Sequence, residues 1–313
     1  MILEYTIYDA LITSLGVLLL GCSFTVPALA FLSEIAGIIR QKVFMDKFAR
    51  QTARLGLLFV WAVFLTGAGL WAANIYYPDI SRLWTEFTLL KDCGFYLGLG
   101  VPVLFTLYYL LWDKLKKAKV IHLVLGGLAV ISSKLFLILL FWSVYRELLT
   151  APELMPEIDS IFLPMLAQTF LLCLSGASAL ALIYLLARRN RDDYGRDYYR
   201  FALGFGAKWA LFFGVASPLS CVWLFLVMKN GFDFTYVIIP GAVYVLALII
   251  MVLVLWRIIR SDQPLRNKAA IGICPVLVWI ILVFRLVSYL EFTNMVSDVP
   301  VVLTFVREWP VLF

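Results

Sequence analysis

Phe95-Tyr-Leu-Gly-Leu-Gly-Val-Pro-Val-Leu-Phe-Thr-Leu-Tyr-Tyr-Leu-Leu111, Trp112-Asp-Lys-Leu-Lys-Lys-Ala-Lys119 and Val120-Ile-His-Leu-Val-Leu-Gly-Gly-Leu-Ala-Val-Ile-Ser-Ser-Lys-Leu135 run on from one another. An apolar run, a short basic turn and a second apolar run predict two membrane-crossing helices joined on one side of a bilayer. The second helix carries the chain's only histidine, His122, at its entry. At 1.5 Å of rise per residue, Lys134 lies roughly 20 Å inside the apolar segment. A lysine at that depth is costly unless it faces a protein partner or water, which marks it as a candidate functional residue.

Outward from this stretch the same pattern repeats. Hydrophobic residues make up 63% of the 313, and mean hydropathy is +0.95, which excludes an ordinary soluble domain. Apolar runs fall at roughly 9–38, 52–74, 93–112, 120–145, 160–187, 201–228, 234–259 and 268–290. The fold class expected is an all-α integral membrane protein with about eight transmembrane helices in two four-helix bundles, residues 1–150 and 151–291. An external tail, 292–313, follows. The run from Leu11 to Ile39 is too long for the apolar region of a signal peptide and is expected to stay as a helix.

The loops alternate in charge. Arg40, Lys42, Lys47, Arg50 and Arg54 stand in the first, and Lys114, Lys116, Lys117 and Lys119 in the third. Arg188, Arg189, Arg191, Arg196 and Arg200 stand in the fifth, and Arg257, Arg260, Arg266 and Lys268 in the seventh. The fourth loop carries Glu147, Glu153, Glu157 and Asp159. Positive-inside then puts the odd loops in the cytoplasm and both termini outside, in a multi-pass protein of the inner (cytoplasmic) membrane. The net charge of +6 is spread over these short loops. It therefore argues for a bilayer, not for nucleic acid.

The halves share a weak repeat, Ala30-Phe-Leu-Ser-Glu through Gly56 against Ala181-Leu-Ile-Tyr-Leu through Gly204. Either this is a parallel duplication, or it reflects the basic inner loops common to polytopic proteins. Small residues at Gly67, Ala68 and Gly69, and at Ser175, Gly176, Ala177 and Ser178, predict close helix approach. Cys22, Cys93, Cys173, Cys221 and Cys274 fall singly and read as packing residues.

One histidine cannot supply the paired axial ligands of a b-type haem, and no Walker A, HExxH or GxSxG motif occurs. The ionisable groups in or near the spans are the candidates. Lys134 lines a polar cavity or forms an ion pair inside the bundle. Glu34, Lys208 and Arg285 are buried-charge candidates, read as snorkelling or inter-helix pairs. His122 is an interfacial residue or a proton-exchange group beside a quinone headgroup. With Lys134 and Gln168 it makes the set of quinone or proton-path candidates. No catalytic residue and no metal ligand is assigned.

Several stretches resemble the large subunit of cytochrome bd quinol oxidases. They are Phe24-Thr-Val-Pro27 and Ala30-Phe-Leu32, then Ile39 through Gly56, and Trp112-Asp-Lys-Leu115 followed by His122 and Ser132-Ser-Lys-Leu135. Leu182-Ile-Tyr-Leu-Leu-Ala-Arg188 is more loosely similar, and the resemblance spans about residues 10–200. The departures fall on the haem ligands. Leu19 or Cys22 stands where the family has a first-helix histidine. The third helix lacks its glutamates, Gln168 stands about where a fifth-helix histidine would be, and the long external loop is reduced to about Lys229–Phe234. Lys134 falls roughly where the family has asparagine, in space the resemblance assigns to the haem region.

The resemblance therefore implies a haem-free integral subunit of a respiratory, electron-transport complex. It would anchor membrane or periplasmic partners (cytochromes or iron–sulfur proteins that carry the haems and clusters) and contribute a quinone or menaquinone site. No cofactor is expected on this chain alone, and as an enzyme it would act as part of a quinol-linked oxidoreductase. Two other readings stand beside this one: a haem-free quinone-binding anchor of the polysulfide-reductase type, and a transporter, for which Gly98-Leu-Gly-Val-Pro102 and Ala216-Ser-Pro218 would be the helix breaks.

Overall fold

A computed structural model of the chain describes residues 2–76, 95–115, 117–148, 162–192, 194–227 and 238–296. Among them are eight α-helices and no strand. These are α1 (Ile2–Arg40), α2 (Val43–Tyr76), α3 (Phe95–Leu110), α4 (Lys119–Leu148), α5 (Phe162–Asp192), α6 (Arg196–Val227), α7 (Ile238–Arg260) and α8 (Lys268–Val296). A single 3-10 turn, Pro264–Arg266, separates the last two. Seven of the helices are long and apolar enough to cross a membrane, and α3 contributes the shorter apolar segment Gly98–Leu110. By these spans the chain is a multi-pass membrane protein, all-helical among the described residues. The acidic residues 153–159, the loop 229–234, Cys93 and most of the tail lie outside the described residues.

Two basic loops expected from sequence are mostly helix. α2 begins at Val43, so only Gln41 and Lys42 separate it from α1. Here α1 ends in a left-handed cap, with Gln41 at φ +50°. The Gln41 and Lys42 amides bond back to the Ile38 and Gly37 carbonyls, which satisfies the last turn. Gly195, at φ +83°, makes the comparable reversal between α5 and α6, where a side chain would be strained. Arginines and lysines are good helix formers, so a basic segment beyond the hydrocarbon continues the helix into water. α8 likewise runs on to Val296, past the expected start of the tail at 292.

Helix contacts close two rings. α1 touches α2, α2 touches α3, α3 touches α4 and α4 returns to α1; α5, α6, α7 and α8 do the same. Between the rings α1 lies against α5 and α8, with lesser contacts from α2 and α4. The α1–α5 crossing is made by small residues placed reciprocally. A Cβ at Gly21 would strike the Cys173 sulfur, and one at Gly176 would strike Leu18 and approach Cys22. Thr25 Oγ donates to the Cys173 carbonyl at 3.1 Å across the same crossing. Lipid is as apolar as leucine, so close backbone approach and buried hydrogen bonds, not hydrophobic burial, favour association here. Gly67 and Gly69 have open space around them instead. On α2 the close approach comes at Gly56, against Phe105 and Val26.

Four basic turns share one end of the molecule. Arg50 of α2 pairs with Asp113 in the α3–α4 turn, and Arg200 of α6 pairs with Asp262 in the α7–α8 turn. Between them Gln51 bridges the halves, donating to Asp192 at 3.2 Å and accepting from Tyr198 at 2.5 Å. The two Arg–Asp pairs occupy equivalent places in the two rings, as do the crowded glycines Gly56 and Gly206.

Candidate functional site

Near that end, inside the first ring, Glu34, His122 and Tyr108 form one buried cluster. Glu34 sits six residues before the end of α1, and His122 three residues after the start of α4. Two antiparallel helices that meet at their basic ends bring these positions to one level. His122 Nδ1 lies 2.7 Å from Glu34 Oε1, and both side chains are only 3% exposed, so water does not separate them. Tyr108 donates its hydroxyl to Glu34 Oε2 at 2.6 Å. Its ring stacks on the imidazole at 4.5 Å between centroids, and Trp112 closes the edge at 4.8 Å.

His122 Nε2 lies 2.9 Å from the Tyr108 carbonyl. Tyr108 stands in the last turn of α3, where carbonyls lose their helical partners. The Trp112 amide bonds to Tyr109 instead, leaving the Tyr108 carbonyl for the histidine.

The protonation follows from donor and acceptor types. A carbonyl only accepts, so Nε2 must carry a proton. Between Nδ1 and Oε1 there is room for one more. With it on nitrogen the pair is ionic; with it on oxygen both groups are neutral. Every hydrogen bond is kept in both forms. The cluster thus holds one proton in a water-excluded place without an unpaired buried charge in either state.

The other candidates are elsewhere. Lys134 donates to the Phe24 carbonyl at 2.8 Å and lies over the Phe170 ring at 4.4 Å. Pro27 in α1 removes an amide from that turn and opens its carbonyls. Ser133 and Lys134 of α4 meet the Phe24 oxygen there. Gln168 accepts from Arg285 and donates to Cys221 at 2.9 Å, which links α5, α6 and α8 in the second ring. Lys208, a buried-charge candidate read as snorkelling or as an inter-helix pair, is exposed and lies off the packed face formed by Gly206, Ala207 and Ala210. His122 is thus joined to Glu34, Lys134 to Phe24, and Gln168 to Arg285 and Cys221.

Sequence reading did not pair Glu34 with His122 and did not single out Tyr108. The available signal was that each falls within two turns of a basic helix end. Among the described residues no three His, Cys, Asp or Glu side chains stand together as a metal site. Cys22, Cys173 and Cys274 are buried free thiols in helix contacts, and Cys221 is half-buried. Comparison with known protein families, characterised proteins and solved structures finds no match to this chain. The resemblance to the bd-type large subunit therefore stands on the quoted residues alone.

Proposed function

We propose that this chain is a haem-free, bd-type-like integral subunit of a quinol-linked electron-transport complex. The Glu34–His122–Tyr108 cluster is its proton-exchanging group. The observation that carries the reading is the buried 2.7 Å contact between Glu34 and His122 at the basic end of the first ring. Quinol oxidation releases protons, and a buried carboxylate–imidazole pair near the membrane interface takes up and passes on one at a time. The basic turns face the cytoplasm of an inner membrane, with eight spans and both termini outside. Redox centres sit in partner subunits, membrane or periplasmic.

The test is purification in mild detergent, with a reduced-minus-oxidised spectrum, quinone extraction and identification of copurifying chains. Copurifying cytochromes or iron–sulfur proteins are expected, with quinol oxidation that slows in Glu34→Gln while assembly persists. A solitary, colourless protein that moves a solute across liposomes would overturn this in favour of a transporter.

A further inference from the structure

A groove of about 750 Å³ opens at the basic end, between the α1–α2 turn, the first four to five turns of α6 and the end of α7. Its rim carries Arg40, Lys42, Arg200, Lys208 and Arg260 against only Asp197 and Asp262. Asp262 is already taken by Arg200, so the cations are in excess. Its floor is Phe201, Phe205, Trp209 and Phe212, the residues that follow one face of α6. Phe212 is 62% exposed, so this face leads out to the surrounding bilayer.

Lys208 is the telling residue. It lies eight residues beyond Arg200, roughly 12 Å further along the helix, and is exposed at the lipid-facing surface. No ion pair to it exists among the described residues. In the first ring the equivalent place, by the correspondence of Arg50 with Arg200 and Gly56 with Gly206, is held by exposed Leu58, as a lipid-facing helix requires. Phe212 corresponds likewise to Ala62, and Arg260 to Leu110. The fold therefore demands no cation at Lys208 or Arg260 and no aromatic at Phe212, while at Trp209 the first ring also carries an aromatic, Phe59.

We infer that this groove binds an anionic phospholipid of the inner leaflet. Its phosphate sits between Lys208 below and Arg260 above, and its acyl chains lie on Trp209 and Phe212. A cation at lipid depth is satisfied by an anion that the bilayer itself supplies, and a cation-rich rim over an apolar floor matches an anionic amphiphile. A neutral quinone would have no use for the excess charge. This site is separate from the Glu34 cluster.

The test is native mass spectrometry of the delipidated protein titrated with phosphatidylglycerol and with phosphatidylcholine. Phosphatidylglycerol is expected to bind about tenfold tighter or better, and Lys208→Leu with Arg260→Gln is expected to bring the two within about twofold. Leucine is what the first ring carries at this place, so the variant keeps its fold. Lys114→Gln with Lys117→Gln removes the same charge from the α3–α4 turn and is expected to leave the preference intact. An equal loss in that control means diffuse attraction and overturns the proposal. So does an absent preference, one that Lys208→Leu with Arg260→Gln leaves unchanged, or displacement of the lipid by inorganic phosphate alone.

Discussion

Replacing Glu34 in two ways separates the geometry of its cluster from its proton. Glutamine is the closest shape. Its carbonyl oxygen accepts from the Tyr108 hydroxyl, and its amide donates to His122 Nδ1, leaving the neutral histidine to donate from Nε2 to the Tyr108 carbonyl. All the bonds described above survive, with no charge buried. The cost of Glu34→Gln is therefore expected to stay within about 1 kcal/mol, that of one exchanged hydrogen bond. Leucine leaves the Tyr108 hydroxyl and His122 Nδ1 without partners, at about 1–3 kcal/mol each. Glu34→Leu should thus lose about 2–6 kcal/mol, at the lower end if the groups relax. Reversible unfolding in mixed micelles, followed by circular dichroism, gives both values. If glutamine costs as much as leucine, the ionised carboxylate itself holds the cluster together, and the neutral, proton-shared form does not exist.

Lys134→Met is expected to change stability by less than about 1 kcal/mol in the same assay. A lysine near mid-depth costs about 3 kcal/mol, while its carbonyl bond and the desolvated ring contact return about 1 and about 2. A loss above about 2 kcal/mol would make Lys134 a structural clamp on the Pro27 turn. Gln51→Leu removes the bond that satisfies the fully buried Tyr198 and the link to Asp192. It should cost about 1–3 kcal/mol, read as a lowered unfolding free energy; no change would mean that the bridge between the halves contributes nothing.

The helical, membrane-embedded character was legible because apolar runs of the right length leave few alternatives in a bilayer. The shared level of the four basic turns was legible too, since each sits between adjacent runs. Helix boundaries at those turns were not: a run such as Val43 to Arg54 is polar enough to leave the membrane and still helical, and hydropathy cannot separate the two. Gly67 and Gly56 look alike in sequence, yet only Gly56 meets a neighbouring helix, because contact depends on which side of α2 faces α3. Glu34 and His122 are 88 positions apart. No periodicity links them; only the antiparallel return of α4 along α1 does. For Lys208 the sequence left snorkelling and an inter-helix pair open, because depth along a helix does not give the direction in which a side chain points.

The position of α1 also bears on how the protein is made. It is synthesised before every helix it touches: α2, α4, α5 and, last of the eight, α8. Trp279 of α8 donates to Ser14 at 3.0 Å on α1, a bond that exists only once nearly the whole described chain has left the ribosome. Until then the face of α1 around Ala10 and Ser14 must wait in the membrane against lipid or against an insertion factor. A chain stalled before α8 would thus present a long-lived, unfinished surface to the quality-control proteases of the membrane, which makes the last helix the natural checkpoint of its biogenesis.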